Sequence, residues 1–263
     1  MNKNSFEAEL LHTPFDKEDA YHSLSMPVYN TAAYEFDTAE AMEEAFCGRT
    51  ADHAYSRITN PTVQYFEKRI QTITGALSVT ALNSGMAAIS NIFFTLAQAG
   101  ANIVTSAHLF GNTYSFFKST LAAFGVEVRF CDLTNPEAVR AQVDENTCAI
   151  FLEVITNPQL EVADLKVLSG IAHQMGVPLI ADTTVVPFHI FHANEFGVDI
   201  EIVSSTKYIS GGATSLGGLI LDCGTFDWSN SKKLRSMADQ FGASTFTAKL
   251  RKEIHRNLGA YMT

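Results

Sequence analysis

The most constraining feature of this sequence is a run of 48 residues, from Ile70 to Phe117, that contains no charged side chain. A membrane-spanning helix needs roughly 20 predominantly apolar residues, so the run is long enough to raise that question. Polar side chains interrupt every window of that length, however, among them Gln71, Asn83 and Gln98. Because 46% of the chain is hydrophobic and 17% is charged, we interpret the run as the buried centre of a soluble fold.

Short apolar segments alternate with segments of helical spacing along most of the chain. Strands are predicted at residues 78–82, 103–105, 126–131, 148–154, 177–181, 200–204 and 218–221, and helices at 61–74, 86–99, 114–124, 136–143 and 165–175. Apolar strands that alternate with helices indicate a parallel sheet covered on both faces. We therefore predict an α/β fold with a mostly parallel central sheet and helices on both faces. Residues 1–55 lack this rhythm and are predicted to form an N-terminal arm or cap before a domain at 56–263.

The chain is acidic, with 28 acidic and 18 basic side chains and a formal net charge of −10. This charge disfavours nucleic-acid binding, which depends on neutralising phosphates with Lys and Arg. Residues 228–263 differ, because basic side chains outnumber acidic ones there, but apolar residues such as Leu234 and Phe241 are interspersed among them. This spacing predicts the solvated face of a helix.

The cysteines indicate a reducing compartment. Cys47, Cys131, Cys148 and Cys223 are scattered, with no Cys-x-x-Cys pair and no Cys/His group of zinc-site spacing. In a chain of this length, scattered cysteines are typical of reduced thiols. The first 20 residues contain acidic side chains and lack an apolar core, so no signal peptide is predicted. We therefore expect a cytoplasmic protein without a membrane segment or a metal site.

Polar residues that follow strands are candidate site residues, since ligands of open α/β sheets bind beyond the carboxyl ends of the strands. Ser84-Gly85-Met86 follows the first strand and opens a helix, whose free N–H groups suit an anion. An N-cap serine with a packing glycine is the alternative interpretation. Neither a Walker loop nor a Gly-x-Gly-x-x-Gly turn is present, so nucleotide binding is not indicated. Asn157 before Pro158 follows a later strand and indicates, by itself, only a turn.

Two charged residues also follow apolar strands. Asp182 could cap a helix, bind a metal or pair with a cationic nitrogen, but His189 and His192 lack metal-ligand spacing relative to it. Lys207 follows Ser204-Ser205-Thr206, and a desolvated lysine has a lowered pKa that suits Schiff-base chemistry. A surface lysine is the alternative. A lysine, an aspartate for a pyridinium nitrogen, and hydroxyls with a helix N-terminus for a phosphate together describe a pyridoxal phosphate site.

Several motifs follow one another in a characteristic order. They are Tyr55-Ser56-Arg57, Asn60-Pro61-Thr62, Ser84-Gly85-Met86, Glu153 with Asn157-Pro158, Asp182-x-Thr184, and Ser204-x-Thr206-Lys207-Tyr208. In this order they resemble the cysteine/methionine-metabolism family of pyridoxal phosphate enzymes, which includes cystathionine γ-synthase, cystathionine lyases, methionine γ-lyase and O-acetylhomoserine sulfhydrylase. Residues 109–116 and 214–228 are most similar to the sulfhydrylases. The resemblance implies the large domain of the fold-type-I pyridoxal phosphate transferases.

The resemblance also implies roles for individual residues. Lys207 would hold the cofactor and carry protons, Asp182 would pair with the ring nitrogen, and Asn157 would lie near the ring hydroxyl. The phosphate would be held by Ser84, Gly85, Met86, Ser204 and Thr206. Tyr55, which is also expected to be catalytic, and Arg57 would reach the phosphate of a neighbouring subunit, so that the site is shared within a homo-oligomer, either a dimer or a tetramer.

This chain departs from the family pattern at two positions. Phe110 stands where the family usually has the tyrosine of Leu-Tyr-Gly. Its ring can still stack on the cofactor, but it lacks the hydroxyl that could assist protonation of a leaving group. Ala213 stands where the family usually has a histidine after the Gly211-Gly212 pair.

The expected function is therefore pyridoxal-phosphate-dependent γ-replacement on an O-acyl-homoserine, with sulfide or a thiol as the second substrate, in the synthesis of sulfur amino acids such as methionine. A γ-lyase of the same family is one alternative. The alternative from another class is a non-catalytic domain that keeps the fold and the oligomer contacts. This alternative is suggested by the end of the sequence at Thr263, where the family continues into a smaller C-terminal domain that carries the arginine for the substrate carboxylate.

Overall fold

The computed structural model describes residues 5–15, 21–212 and 214–261. Ala213 and parts of the expected N-terminal arm, residues 1–4 and 16–20, therefore lie outside the described residues. The described part of that arm contains helices α1 (Phe6–His12) and α2 (Ala39–Phe46).

The remaining elements alternate as the sequence predicts. The strands are β1 (Ser78–Leu82), β2 (Asn102–Thr105), β3 (Glu127–Phe130), β4 (Thr147–Glu153), β5 (Leu179–Asp182), β6 (Ile200–Val203) and β7 (Gly218–Asp222). The helices are α3 (Pro61–Thr74), α4 (Gly85–Leu96), α5 (Gly111–Ser115), α6 (Pro136–Gln142), α7 (Leu165–Gln174), α8 (Arg235–Phe241), α9 (Thr245–Lys249) and α10 (Arg256–Leu258). Two π-helical stretches, Phe116–Leu121 and Leu250–His255, continue α5 and join α9 to α10.

In the described part of the chain, seven strands form one sheet in the order β1-β7-β6-β5-β4-β2-β3. Neighbouring strands from β3 to β6 are parallel, whereas β7 is antiparallel to both β1 and β6. The predicted mostly parallel sheet with helices on both faces is therefore confirmed. Asp182 differs from the predicted position beyond its strand, because it is the last residue of β5 and pairs with Glu153 and Ile202.

The uncharged run from Ile70 to Phe117 supplies β1, α4 and β2, which lie at the centre of the fold. Three aromatic rings pack edge to face beneath α4, with centroids 4.8 Å apart for Phe93 and Phe117 and 5.2 Å apart for Phe117 and Phe151. Such packing explains why charged residues are absent from the run, since an unpaired charge would be costly there. Among the described residues, no helix has the length and apolar character needed to cross a membrane.

Local signals set the ends of the helices that flank the site. Asn60 accepts a hydrogen bond from the amide of Thr62 at the start of α3, and Pro61 occupies its first turn. Gly75 ends the same helix with a φ of 68°, a conformation that glycine adopts without steric cost. Ser84 caps α4 by accepting a hydrogen bond from the amide of Ala87. This last cap places the first turn of α4 directly after β1.

The basic residues of the final segment are not all on a solvated helix face. Lys233 is half-buried, and its Nζ donates to the carbonyl oxygens of Phe94 (2.7 Å) and Ala97 (2.6 Å) at the end of α4. Arg251 donates to Glu67 Oε2 at 2.8 Å and to the Val79 carbonyl at 2.6 Å. The prediction of a solvated face is wrong for these two side chains, because they satisfy backbone and carboxylate acceptors that would otherwise be unpaired.

Candidate active site

A cavity of about 500 Å³ opens at the carboxyl ends of β1, β4, β5 and β6. Nine of the eleven residues predicted from the sequence line it: Ser84, Gly85, Met86, Phe110, Asn157, Asp182, Ser204, Thr206 and Lys207. These residues come together because β1, β2, β4, β5 and β6 all point the same way, so their carboxyl ends share one edge of the sheet; Phe110 belongs to the loop after β2.

One corner of the cavity is formed by the first turn of α4 and by three residues with hydroxyl groups, Ser84, Ser204 and Thr206. We call it the hydroxyl corner. A Cβ added to Gly85 would lie 2.9 Å from the Cβ of Ser204, and one added to Gly218 would lie 2.1 Å from the Ser84 carbonyl oxygen. Glycine at position 85 therefore lets Ser204 approach the first turn of α4, and glycine at position 218 lets the start of β7 approach the Ser84 backbone. Ser84 caps the helix and Gly85 packs closely, so the N-cap interpretation of this motif is confirmed, while anion binding stays a prediction.

Thr206 closes the loop that borders this corner. Its hydroxyl accepts a hydrogen bond from the amide of Gly217 at 3.1 Å and lies 3.3 Å from the carbonyl oxygen of the same residue. The loop after β6 is thereby held against the start of β7. Hydroxyls and the free amides of a helix N-terminus suit a phosphate group.

Asp182 lines the same cavity at the end of β5. Its Oδ1 accepts a hydrogen bond from the Thr184 amide at 2.9 Å, and the Thr184 hydroxyl accepts one from the Ser204 amide at 2.8 Å. Loss of solvent raises the pKa of Asp182, and the hydrogen bonds from Thr184 oppose this rise. Thr184 therefore links the aspartate to Ser204 at the hydroxyl corner.

Glu153 is the carboxylate that sequence reasoning left without a role. It ends β4 beside Asp182, only 7% of its surface is exposed, and its oxygens accept the amides of Phe110 (2.5 Å) and Asn157 (3.2 Å). Burial raises the pKa of Glu153 to about 7; the amide of Phe110 opposes this rise and the charge of Asp182 adds to it. The available signal was its place at a strand end, four residues before Asn157.

Lys207 lines the cavity from a turn that follows β6 and is exposed to solvent. Its amide donates to the Ser204 carbonyl at 3.2 Å, and the Ser210 hydroxyl donates to the Thr206 carbonyl at 2.8 Å. Of the two alternatives left by the sequence, the exposed position agrees with a surface lysine, because the turn carries Lys207 beyond the end of the buried strand. It remains beside the hydroxyl corner, as its position in the sequence predicts.

Sequence reasoning also missed part of the apolar wall of the cavity. The additional lining residues are Ile89, Thr113, Ile155, Val185, Tyr208 and Leu216. Helical spacing after Gly85 and Phe110 could have indicated Ile89 and Thr113. Tyr208 stands beside Lys207 in a motif quoted above, whereas Ile155, Val185 and Leu216 lie on loops whose direction depends on tertiary contacts.

Tyr55 and Arg57 are the two predicted site residues that the structure does not bring into the cavity. The Arg57 guanidinium lies 5.3 Å from the centre of the Tyr55 ring, and its Nη1 donates to the Arg256 carbonyl at 2.6 Å. Tyr55 forms an isolated β-bridge with Ala33 and is partly exposed. Within the described chain, this pair lies apart from the other nine residues.

The donor set fits pyridoxal phosphate. Asp182 and Glu153 are paired neighbours in adjacent strands of the sheet. Among the described residues, no lysine or arginine is hydrogen-bonded to either of them. Two carboxyl groups so placed repel each other when both are charged, and a protonated ring nitrogen beside Asp182 would relieve that repulsion. The hydroxyl corner beside α4 would receive the phosphate, and Lys207 lies at the same cavity.

Comparisons with known proteins show a family match over most of the chain. Residues 7–251 match the model of a family described as Cys/Met metabolism PLP-dependent enzymes. The chain is 34% identical to the O-acetyl-L-homoserine sulfhydrylase of Corynebacterium glutamicum, over 98% of this chain and 63% of that enzyme. The chain therefore spans less than two thirds of the length of this curated relative.

Solved structures give the same picture. The O-acetylhomoserine sulfhydrylase of Wolinella succinogenes is similar at a TM-score of 0.73 and 47% identity, over 79% of this chain and 61% of that one. A Campylobacter jejuni protein described as an O-acetylhomoserine (thiol)-lyase has a TM-score of 0.89 at 27% identity, over 99% of this chain and 67% of that one, and contains a pyridoxyl-lysine monophosphate. These likenesses confirm the fold that the motifs implied.

Proposed function

The chain belongs to the Cys/Met metabolism family of PLP-dependent enzymes, and from this premise we propose that it binds pyridoxal 5′-phosphate in the cavity and catalyses γ-replacement on an O-acyl-homoserine. In this reaction the Cγ–O bond breaks, a carboxylate leaves, and a Cγ–S bond forms with sulfide or a thiol. The observation that carries the proposal is the meeting of Asp182, Lys207 and the hydroxyl corner at one cavity.

The cofactor would supply an electron sink for the carbanion that forms at the substrate. Lys207 Nζ would hold the cofactor and then carry protons from Cα and Cβ of the substrate. Asp182 would keep the ring nitrogen protonated, and Asn157 would lie near the ring hydroxyl. Ser84, Gly85, Met86, Ser204 and Thr206 would hold the phosphate.

Phe110 favours replacement of an ester over cleavage of a thioether. Its ring lines the cavity but cannot donate a proton to a leaving group. A carboxylate needs little such help, because its conjugate acid has a pKa near 4, whereas that of a thiolate is near 8.5. An acyl ester is therefore the better substrate for a site with phenylalanine at this position, and the γ-lyase reaction is the alternative outcome of the product test.

We also propose the arrangement beyond a single chain. Tyr55 and Arg57 would act in the site of a neighbouring subunit of a homo-oligomer, with Tyr55 also taking part in catalysis. Residues 1–55 would form the arm, and 56–263 the cofactor-binding domain. The described cysteines are free thiols, which supports a cytoplasmic location.

The test is chemical labelling followed by product analysis. The chain is loaded with pyridoxal 5′-phosphate, reduced with borohydride and digested, and the pyridoxyl mass is expected on the peptide that contains Lys207 and not in Lys207→Ala. In a separate sample, the unreduced, cofactor-loaded chain supplied with O-acetylhomoserine and sulfide should give homocysteine and acetate. Labelling without a preference for Lys207 would overturn the cofactor assignment, and a 2-oxo acid with ammonia would indicate a lyase.

A further inference from the structure

Glu153 makes contacts that the proposed chemistry does not use. Its two carboxylate oxygens point to two different loops: one accepts the amide of Phe110, in front of α5, and the other accepts the amide of Asn157, after β4. The side chain is buried, and no described lysine or arginine is hydrogen-bonded to it. Burying a carboxylate without a cation is costly. The position of Glu153 between two backbone amides therefore requires an explanation.

The two loops carry the residues that would contact the cofactor ring. Phe110 lines one part of the cavity wall and Asn157 another. A second contact joins the same loops farther out, where His108 Nδ1 lies 2.6 Å from Glu161 Oε2. That outer pair is about half exposed and therefore weakly constraining, whereas the inner carboxylate is shielded from solvent.

From this geometry we propose that Glu153 is a positioning residue, whose carboxylate clamps the Phe110 and Asn157 loops at a fixed separation and so sets how the cofactor ring is held between them. The inference rests on the proposed function, since it assigns the ring to this part of the cavity. It gives Glu153 no direct part in proton transfer, because both oxygens already accept backbone amides.

A glutamine at this position cannot form the same clamp. Its single carbonyl oxygen could accept one of the two amides, but its NH₂ group would then face the other N–H donor. Glu153→Gln therefore keeps the size of the side chain while releasing one loop. We expect the Kd for pyridoxal 5′-phosphate to rise roughly tenfold, as for loss of one charge-assisted hydrogen bond. We also expect the circular dichroism of the bound cofactor to change, because that signal reports the asymmetry of the ring environment.

Glu201 provides a matched control. It is also buried, it lies in β6, and burial raises its pKa to about 7, with the Asp182 charge as a further cause. Its Oε1 accepts only the Thr183 hydroxyl in the described contacts, and glutamine can keep that bond. Glu201→Gln thus removes a similar charge near Asp182 without releasing a loop, and should leave both the Kd and the dichroism close to those of the parent chain.

The outcomes separate the two proposals. If the parent chain binds no pyridoxal 5′-phosphate, the proposed function fails. If the parent binds it and Glu153→Gln behaves like Glu201→Gln, the clamp is overturned. Should Glu153→Gln not fold, hydrogen exchange of the parent chain decides: slow exchange at the amides of Phe110 and Asn157 is expected, and exchange as fast as in an unstructured peptide would overturn the clamp.

Discussion

Arg251 and Glu67 form an ion pair of 2.8 Å that joins the helical segment after α9 to α3. The same arginine donates to the Val79 carbonyl, and the second oxygen of Glu67 accepts the Ala81 amide, so both strand neighbours of the pair belong to β1. Because β1 leads directly into the capped start of α4, this pair helps to fix the position of the hydroxyl corner.

Arg251→Met should be strongly destabilising, since it leaves the buried Glu67 carboxylate without its cation. We expect a loss of about 3 kcal/mol in the free energy of unfolding, measured by urea titration. The double variant Glu67→Gln with Arg251→Met should recover at least half of that loss. A single variant as stable as the parent chain would show that the pair is not needed.

Gly85→Ala tests the close approach of α4 and Ser204. The added Cβ would lie 2.9 Å from the Ser204 Cβ and must displace it, so affinity for pyridoxal 5′-phosphate should fall at least tenfold, at a cost in binding of about 1.4 kcal/mol or more. Gly170→Ala in α7 is the control, because its added Cβ meets nothing within 4 Å. That substitution should stabilise the fold by about 0.5–1 kcal/mol and leave cofactor binding unchanged.

His173 should make stability depend on pH. Its Nε2 lies 2.8 Å from Oδ2 of the buried Asp199, and this hydrogen bond is the main cause that raises the pKa of His173. A raised pKa in the folded state gives stability that is fully present below the unfolded value of about 6.5 and is lost as pH rises through the folded value. Because the histidine is 38% exposed, we expect less than about 1 kcal/mol. Thermal melting between pH 5 and 9 should show this loss in the parent chain, and an equal pH slope in His173→Gln would contradict it.

Arg57 and Lys207 test whether the site is shared between subunits. Lys207→Ala should not form the pyridoxyl adduct, and Arg57→Ala should bind the cofactor weakly. When the two variants are unfolded together and refolded, random dimers should recover up to about a quarter of the parent's strong cofactor sites. The melting temperatures of both variants should be close to that of the parent. If they are and no strong cofactor sites are recovered, Arg57 does not act in the site of a neighbouring subunit.

Phe110→Tyr should shift the reaction towards thioether cleavage. The new hydroxyl could protonate a departing thiolate, and we expect the ratio of kcat/KM for cystathionine to that for O-acetylhomoserine to rise roughly tenfold or more. Phe124→Tyr, at an exposed surface position, adds the same hydroxyl away from the cavity and should not change the ratio. An unchanged ratio in Phe110→Tyr would show that the missing hydroxyl does not set the preference for esters.

The sequence by itself determined the elements and most of the cavity. Pro61 and Gly75 mark the bounds of α3, and the Ser84 cap starts α4, because caps and φ preferences act within a few residues. Apolar strands alternating with helices predicted a parallel sheet, and the shared edge of such a sheet brought Asp182 and Lys207 to one cavity.

Only the tertiary structure decided how distant segments meet. The antiparallel insertion of β7 between β1 and β6 brings Gly218 against Ser84, a contact between residues more than a hundred positions apart. Glu153 acquires its clamp and Arg251 its partner only when their elements pack together. Patterns along a sequence report which face of an element is apolar, whereas these hydrogen bonds depend on the register and direction of neighbouring elements, which are set by the packing of the whole fold.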